Sequence, residues 1–330
     1  MSVKDVLLET LSKSQNEYIS GSALAEKLNV SRNAVWKAVK ALESDGYLIE
    51  SVTSKGYRLS SESNRLSDKF INTKLSTKAL GRNIILLKET ESTNNTAKEY
   101  AGDNAIHGTT IIAETQTMGK GRLGRNFSSP ASTGIYMSVI IRPTFGIETA
   151  SLITSATAVA VAEATEELCS CPVMIKWVND LYINEKKICG ILTEASLGLE
   201  MKSLDYAVIG IGINVRSVKS CFDNELLKTV SSIEDEAEIA IDRNALCANI
   251  LNKLEKRLDT IESRDFLSEY RQREYLTGKE ITANVGGESI QGFAKGIDDN
   301  ANLILEMPDS SVRYISSGEA NLCRIKSQSE

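Results

Sequence analysis

Through the first sixty residues apolar positions recur every third or fourth place, and beyond them short apolar strands alternate with helices. Val3, Leu7 and Leu11 fall at i, i+4 and i+8, and Leu24 and Leu28 repeat that spacing one helix later. Ser20 or Ser22 is placed to cap the second helix. Ser31 is placed to cap a third that runs to about Asp45, with Gly46 where a left-handed residue ends a helix. Only Asn29 and Val30 separate the last two helices, which is helix-turn-helix spacing. Residues 47–52 and 54–59 read as a hairpin turning at Lys55-Gly56, so the predicted unit is a winged helix.

Ser60 to Asn64 contains no apolar residue and marks a linker. Beyond it the pattern predicts strands at 84–87, 109–113 and 134–141, a helix capped at Ser92 or Thr93, and a long Ala-rich helix over about 148–168. A hairpin over 180–193, a strand over 207–213 and a helix pair ending near Tyr275 complete this segment. Strands at 280–285, 289–297, 303–306 and 312–316, separated by Gly-Gly, Asp-Asp-Asn and Pro-Asp turns, predict a small barrel of about five strands. The expected organisation is α+β: a winged helix-turn-helix over 1–62, a linker over 63–67, a mixed-sheet α/β domain over 68–276 and an SH3-like β-barrel over 277–330.

Composition narrows the class. With 42% hydrophobic and 25% charged residues in 330, the chain has enough apolar content for several cores, which excludes disorder as its main state. Its net charge of −6 excludes a polycation, so any nucleic-acid contact must be local. Ser31 to Leu42 supplies such a focus, with three basic residues and no acid. Asn33, Lys37 and Lys40 share one helical face flanked by Arg32, while Val35, Val39 and Leu42 share the opposite stripe. Ser31, Arg32 and Asn33 near the helix start are candidates to read bases, and Lys37, Lys40 and the wing residues Lys55 and Arg58 to contact phosphates. Trp36 is expected to pack against the wing. Six cysteines without a C-x-x-C pair and a single histidine, His107, exclude a zinc site and predict a reduced, cytoplasmic protein. Lys4, Asp5 and Glu9 interrupt the first apolar positions, so no signal peptide is expected. Leu152 to Ala162 is too short and too rich in Thr and Ser for a membrane span.

The densest chemistry lies in residues 116–125, Gln-Thr-Met-Gly-Lys-Gly-Arg-Leu-Gly-Arg. Gly119, Gly121 and Gly124 satisfy G-x-G-x-x-G, but Pro130 and Gly134 lead into a strand rather than a helix, which excludes a dinucleotide-binding turn and the dehydrogenase it would imply. What remains is a flexible loop bearing Lys120, Arg122 and Arg125, suited to wrapping a polyphosphate. Ser92-Thr93-Asn94 opens a helix just after a strand. Lys176-Trp-Val-Asn179-Asp180 sets an acid at a turn, Lys187-x-x-Gly190-Ile-Leu192 follows, and Gly210-x-Gly-x-Asn214 ends a strand with small residues, as close approach to a ligand requires.

In order and spacing these motifs, with the winged helix before them, resemble the bifunctional biotin protein ligases of the BirA type, which also repress the biotin operon. The resemblance spans all three segments and implies biotinyl-5'-AMP synthesis from biotin and ATP with Mg²⁺, then transfer of biotin to a lysine of the biotin carboxyl carrier protein. It also implies a homodimer that binds operator DNA when biotinyl-AMP accumulates. By resemblance, Ser92, Thr93, Asn94 and Gln116 would contact biotin together with Gly119, Lys120, Gly121 and Arg122, and Gly190, Leu192 and Gly210 would line its pocket. Lys187, Asp180 and Arg122 would be catalytic. Arg122, Arg125, Phe127, Lys176, Asn179 and Asn214 would hold the nucleotide, and no metal would be tightly bound. The chain departs from the family pattern at Lys120 and Leu123, where Arg is frequent, at Phe127, where Trp stacks on adenine, and at Val178, where Pro is frequent. The competing functions are a lipoate- or octanoate-type ligase and a winged-helix sensor without ligase activity.

Overall fold

The computed structural model describes residues 2–14, 17–44, 47–60, 65–197 and 204–323. They fall into two compact units, Met1–Lys74 with Asp242–Ala248, and Leu75–Ile241 with Asn249–Glu330. In the first, helices α1 (Val3–Lys13), α2 (Gly21–Lys27) and α3 (Arg32–Ser44) precede strands β1 (Ile49–Val52) and β2 (Gly56–Leu59) and helix α4 (Asp68–Lys74). Ser2, Ser20 and Ser31 each accept from the backbone N–H three residues on, satisfying a donor that the helix start would leave unpaired. Leu7, Leu11, Leu24, Val35, Val39 and Leu42 form the core, and the antiparallel β1–β2 pair is the predicted wing.

This unit runs past the expected boundary at residue 62. Leu66 and Ser67, expected in the linker, are buried, and Ser67 N donates to Asn244 Oδ1 at 2.8 Å. Phe70 joins the Leu7–Leu42 core, edge-on to Tyr47 at 6.2 Å. Burying Leu66 and Phe70 removes two large apolar side chains from water, worth about 1.5–3 kcal/mol each, which outweighs leaving the segment as a free tether. Gly46 and residues 61–64 lie outside the described residues.

The second unit contains β3 (Ile84–Leu87), α5 (Thr93–Gly102), β4 (Thr110–Ala113), β5 (Gly134–Ile141), α6 (Ile147–Ala150), α7 (Ile153–Cys169), β6 (Met174–Lys176), β7 (Asp180–Ile183), β8 (Lys186–Leu197) and β9 (Leu204–Asn214). Helices α8 (Asn224–Leu227), α9 (Ile233–Ala237), α10 (Arg243–Asp259) and α11 (Phe266–Arg273) follow, although α10 begins within the first unit. The sheet order is β3-β4-β5-β9-β8-β7-β6, with β3 and β4 parallel and the other neighbours antiparallel, the mixed sheet expected. The predicted single helix over 148–168 is split in two, because the Ser151 hydroxyl turns back onto Glu148 O at 2.7 Å and competes with the continuing helix. Helix α7 is buried along most of its length, which explains its Ala-rich, nearly all-apolar sequence. No helix among the described residues is long and apolar enough to cross a membrane.

Ala97 and Ala101 seat α5 on Ile111, Ile140 and Val208, and this contact aims the start of the helix at the middle of β5 and β9. Strands β10 (Glu280–Val285), β11 (Glu288–Ile297), β12 (Leu303–Glu306), β13 (Val312–Ile315) and β14 (Glu319–Leu322) form the second sheet. It is antiparallel in the order β13-β12-β11-β10-β14, with β13 and β14 as its outer strands, and has the five strands that the sequence predicted for a small SH3-like barrel. Strand β14 has no sequence signal of its own, since Ala320 is its single buried residue.

Candidate functional site

The register of three strands builds a floor. Gly210 on β9 lies opposite Ser138 on β5 and Leu192 on β8, and Gly212 lies opposite Tyr136 and Gly190. Both glycines face the same side of the sheet, so their missing side chains leave two hollows. The Asn94 amide fills one, and a Cβ on Gly210 would stand 2.2 Å from Asn94 Oδ1. The Phe127 ring fills the other, and a Cβ on Gly212 would stand 2.6 Å from its Cε1. Between them opens a cavity of about 130 Å³ lined by Ser92, Thr93, Gln116, Gly190 and Leu192. Ser92 occupies the start of α5 without a side-chain capping bond. Gln116 takes part of that role, its Oε1 accepting from Thr93 N at 2.8 Å and its Nε2 donating to Ser129 Oγ at 2.8 Å.

At the rim stand the charges. Asp180 pairs with Gly190 across β7 and β8, and a bulge between Leu181 and Tyr182 on the β7–β8 ladder shifts Lys187 onto the same face, opposite Tyr182. In an unbroken strand Lys187 and Gly190, three residues apart, would point to opposite faces. Lys187 Nζ instead reaches Asp180 Oδ2 at 2.8 Å, while the buried Asp180 Oδ1 has no hydrogen-bond partner among the described residues. Asn179 donates to Ile191 O at 2.9 Å and accepts from Arg122 Nη1 at 3.1 Å.

The glycine loop is more ordered than its composition predicts. Phe127 N donates to Gly119 O at 2.8 Å and Gly121 N to Arg125 O at 2.7 Å, so the segment closes on itself around a 3-10 turn over Arg122–Gly124. Lys120 Nζ donates to Asn95 Oδ1 at 2.9 Å. Arg125 forks onto both oxygens of Glu319 on β14, with Nη1 at 2.7 Å, and leaves Leu123 exposed at the tip. Beyond the rim lies an outer cleft of about 820 Å³, bordered by Phe127, Lys176, Asn214, Phe222 and Asn321, within the size range of small-molecule sites. Lys176 Nζ donates to Asn321 Oδ1 at 2.7 Å, and burial pushes its ammonium below the ordinary lysine value against the opposing pull of Asp180. Asn214 donates to Ser231 O at 3.0 Å, and its buried Oδ1, beside the cleft, has no partner among the described residues. The Trp177–Val178 peptide, where the departure at Val178 falls, is cis.

Every candidate ligase residue thus lies at the inner cavity, the rim or the outer cleft. The sequence missed Ser138, Glu194, Ser129 and Glu319. Ser138 had a usable signal, a hydroxyl amid the apolar residues of β5, whereas Glu194 and Glu319 reach the site through register and sheet packing alone. Asn94 lines the inner cavity, and both its N–H groups are engaged within the protein, by Leu192 O and Glu194 Oε2. Gly210→Ala is expected to displace the Asn94 amide, at the roughly 1–3 kcal/mol typical of overpacking. Thermal unfolding and a biotin titration should show a lowered Tm and weaker binding, and unchanged values for both would contradict the packing described.

The winged helix presents the basic face as expected. Ser31, Arg32, Asn33, Lys37 and Lys40 are exposed, although the Ser31 hydroxyl is used as a cap and Lys40 pairs with Glu43 at 2.6 Å. On the wing, Arg58 is held by Glu50 at 2.6 Å and lies over the Tyr18 ring, and Lys55 approaches the same ring at 5.6 Å. Trp36, expected to pack against the wing, is instead 49% exposed. It stands four residues from both Arg32 and Lys40, which puts it on the basic stripe.

A winged helix joined to a mixed-sheet domain with a glycine-floored pocket and a cationic rim defines a class of ligase with a DNA-binding module. Residues 86–214 match the Biotin/lipoate A/B protein ligase family, residues 4–58 an HTH domain and residues 276–322 the Biotin protein ligase C terminal domain. The chain is 35% identical over 324 residues to the bifunctional ligase/repressor BirA of Bacillus subtilis, covering 96% of this chain and 97% of that protein. It is 32% identical over 313 residues to BirA of Escherichia coli, covering 93% of each. The structure of the Aquifex aeolicus biotin protein ligase in complex with biotin and ATP superposes with a TM-score of 0.63 at 28% identity, over 74% of this chain and all of that one. The chain belongs to the BirA family of bifunctional ligase/repressors.

Proposed function

We propose that the protein joins biotin to ATP as biotinyl-5'-AMP, transfers biotin to a lysine of a biotin carboxyl carrier protein, and represses transcription at an operator. The observation that carries the ligase half is the gathering of Lys187, Asp180, Asn179 and Arg122 at the boundary between the inner cavity and the outer cleft. Biotin seated in the inner cavity puts its carboxylate at that rim, and ATP in the cleft brings its α-phosphate there. The carboxylate oxygen attacks the α-phosphorus and the bond to the β-phosphate breaks, releasing pyrophosphate. An anion then meets a polyanion, and Lys187 and Arg122 offset the repulsion and stabilise the extra charge of the transition state. Mg²⁺ arriving with the nucleotide would neutralise part of the phosphate charge, beside Lys187 and Arg122.

In the second half the neutral amine of the acceptor lysine attacks the acyl carbon and AMP leaves. Asp180, with one oxygen unpaired, is placed to orient the amine and take its proton. Arg125 gains the nucleotide phosphates as partners when it leaves Glu319. The same ligand ordering the loop supports dimer formation, and with it operator binding, as a linked equilibrium.

ATP–pyrophosphate exchange tests the ligase reading. Biotin should support exchange and lipoate should not; exchange with lipoate alone would favour the lipoate-type ligase, and exchange with neither the sensor. Arg122→Ala removes the charged tie between loop and rim, a contact worth about 1.5–3 kcal/mol, or about 10–100-fold in retention. Biotinyl-AMP is expected to form and then escape, measured as free adenylate in a single turnover. Release at the wild-type rate would remove the loop as the barrier.

A further inference from the structure

The β7–β8 bulge alone does not hold Lys187 at the rim, because β9 ends beside it. Cys189 pairs with Ile213, so a longer ladder would set Val215 opposite Lys187, but β9 stops at Asn214. Residues 229–231 take that place. Lys187 N donates to Thr229 O at 2.9 Å and Ser231 N donates to Lys187 O at 2.9 Å, which bridges Lys187 to Val230 in parallel. Asn214 Nδ2 ties Ser231 O to the end of β9 at 3.0 Å. The backbone that carries the rim ammonium is thus held on this side by three residues outside the named strands.

Those residues follow α8, a single turn of four residues with no buried side chain of its own. So short a helix does not sustain itself in water and depends on what grips it. Asp223 grips the start, accepting from Leu226 N at 2.8 Å. Lys186 grips the end: its Nζ lies 2.8 Å from Leu227 O and 2.6 Å from Lys228 O. A helix end leaves carbonyls without N–H partners, and an ammonium answers two of them while its charge suits the negative end of the helix. Leu226, Thr229 and Val230 also border the outer cleft, together with Lys187. One lysine therefore holds both the cleft wall and the flank of its neighbour, while bordering neither cavity itself.

We propose that Lys186 is a positioning residue for adenylate formation: by pinning the end of α8 it keeps residues 229–231 against Lys187, so that the wall beside ATP and the ammonium at the α-phosphate are set together. The inference rests on the rim being the adenylation site. Lys186 touches no reactant. Lys187 does, so the effect of losing the pin on the chemical step should travel through Lys187.

The test is biotin-dependent ATP–pyrophosphate exchange in Lys186→Met, which keeps the apolar stem and removes the donors, and in Lys186→Arg, which keeps donors and charge. Lys186→Met is expected to raise the KM for ATP and lower kcat by about tenfold each, the scale of a lost hydrogen bond from a charged group, with the KM for biotin within about twofold of wild type. Lys186→Arg should recover most of both. With Lys187→Ala already present, adding Lys186→Met should lower kcat by less than about twofold, because residues that act as a unit do not lose their effects additively. A role confined to folding would lower the Tm and leave kcat of the folded variant unchanged. Should Lys186→Met fail to fold, Lys186→Gln, a shorter donor without the charge, carries the same expectation at reduced size. Wild-type ATP KM and kcat in the folded variant, or fully additive losses in the double variant, would overturn the inference, whereas a wild-type protein without biotin-dependent exchange would overturn the reading of the site itself.

Discussion

Lys187→Ala is expected to lower kcat/KM for biotin-dependent ATP–pyrophosphate exchange by about 10²–10³-fold, the usual cost of removing a preorganised group that stabilises transition-state charge. The protein should stay folded. Lys187 and Asp180 are each about a quarter exposed, at 28% and 22%, and a pair at such a rim contributes about 0–1 kcal/mol to stability. The effect should therefore appear in chemistry and leave Tm nearly unchanged. Lys187→Arg should rescue little, because a planar guanidinium does not reproduce the position and point charge of a compact ammonium. Asp180→Ala should lower transfer to the acceptor lysine, the half in which a proton must be removed. Full exchange in Lys187→Ala, or full transfer in Asp180→Ala, would remove that residue from the mechanism.

The legible and illegible parts of this site divide along a physical line. Lys187, Gly190, Gly210 and Gly212 were legible because each sits on a strand where spacing limits what the residue can do, and a glycine in a buried strand needs a reason. The winged helix was legible because helix period, caps and a hairpin all agree. Glu194 and Glu319 were not, since each reaches its partner only after distant strands have paired: Lys98 and Glu194 are 96 residues apart, and Arg125 and Glu319 are 194 apart. The bulge beside Lys187 was equally hidden, because one extra residue in a strand leaves the composition unchanged while turning a side chain to the other face. Trp36 was misjudged for a related reason. A tryptophan is usually packed, and only the helical phase, counted from Arg32 and Lys40, places it among the charges.

That phase makes the DNA-binding half measurable. Arg32→Ala combined with Lys37→Ala is expected to weaken binding to the operator by about 10²-fold or more, since a base contact is worth about 1–3 kcal/mol and a phosphate contact adds a salt-dependent share. The slope of log affinity against log salt should also fall by about one for each phosphate deprived of its cationic side chain. Exchange activity should be unaffected, because these residues belong to the winged helix. Trp36 supplies the signal: it is half-exposed on the basic stripe, while Trp177, the other tryptophan in the chain, is 3% exposed and donates to Ala301 O. Operator binding should thus change the emission of Trp36, and Trp36→Phe should abolish that change. Arg58→Ala offers the contrast, because Glu50 already holds its guanidinium. It should cost operator affinity less than Arg32→Ala does. If the double variant binds operator as wild type does, the α3 face is a solvated helix and the repressor half of the proposal falls, while the ligase half stands on its own exchange assay.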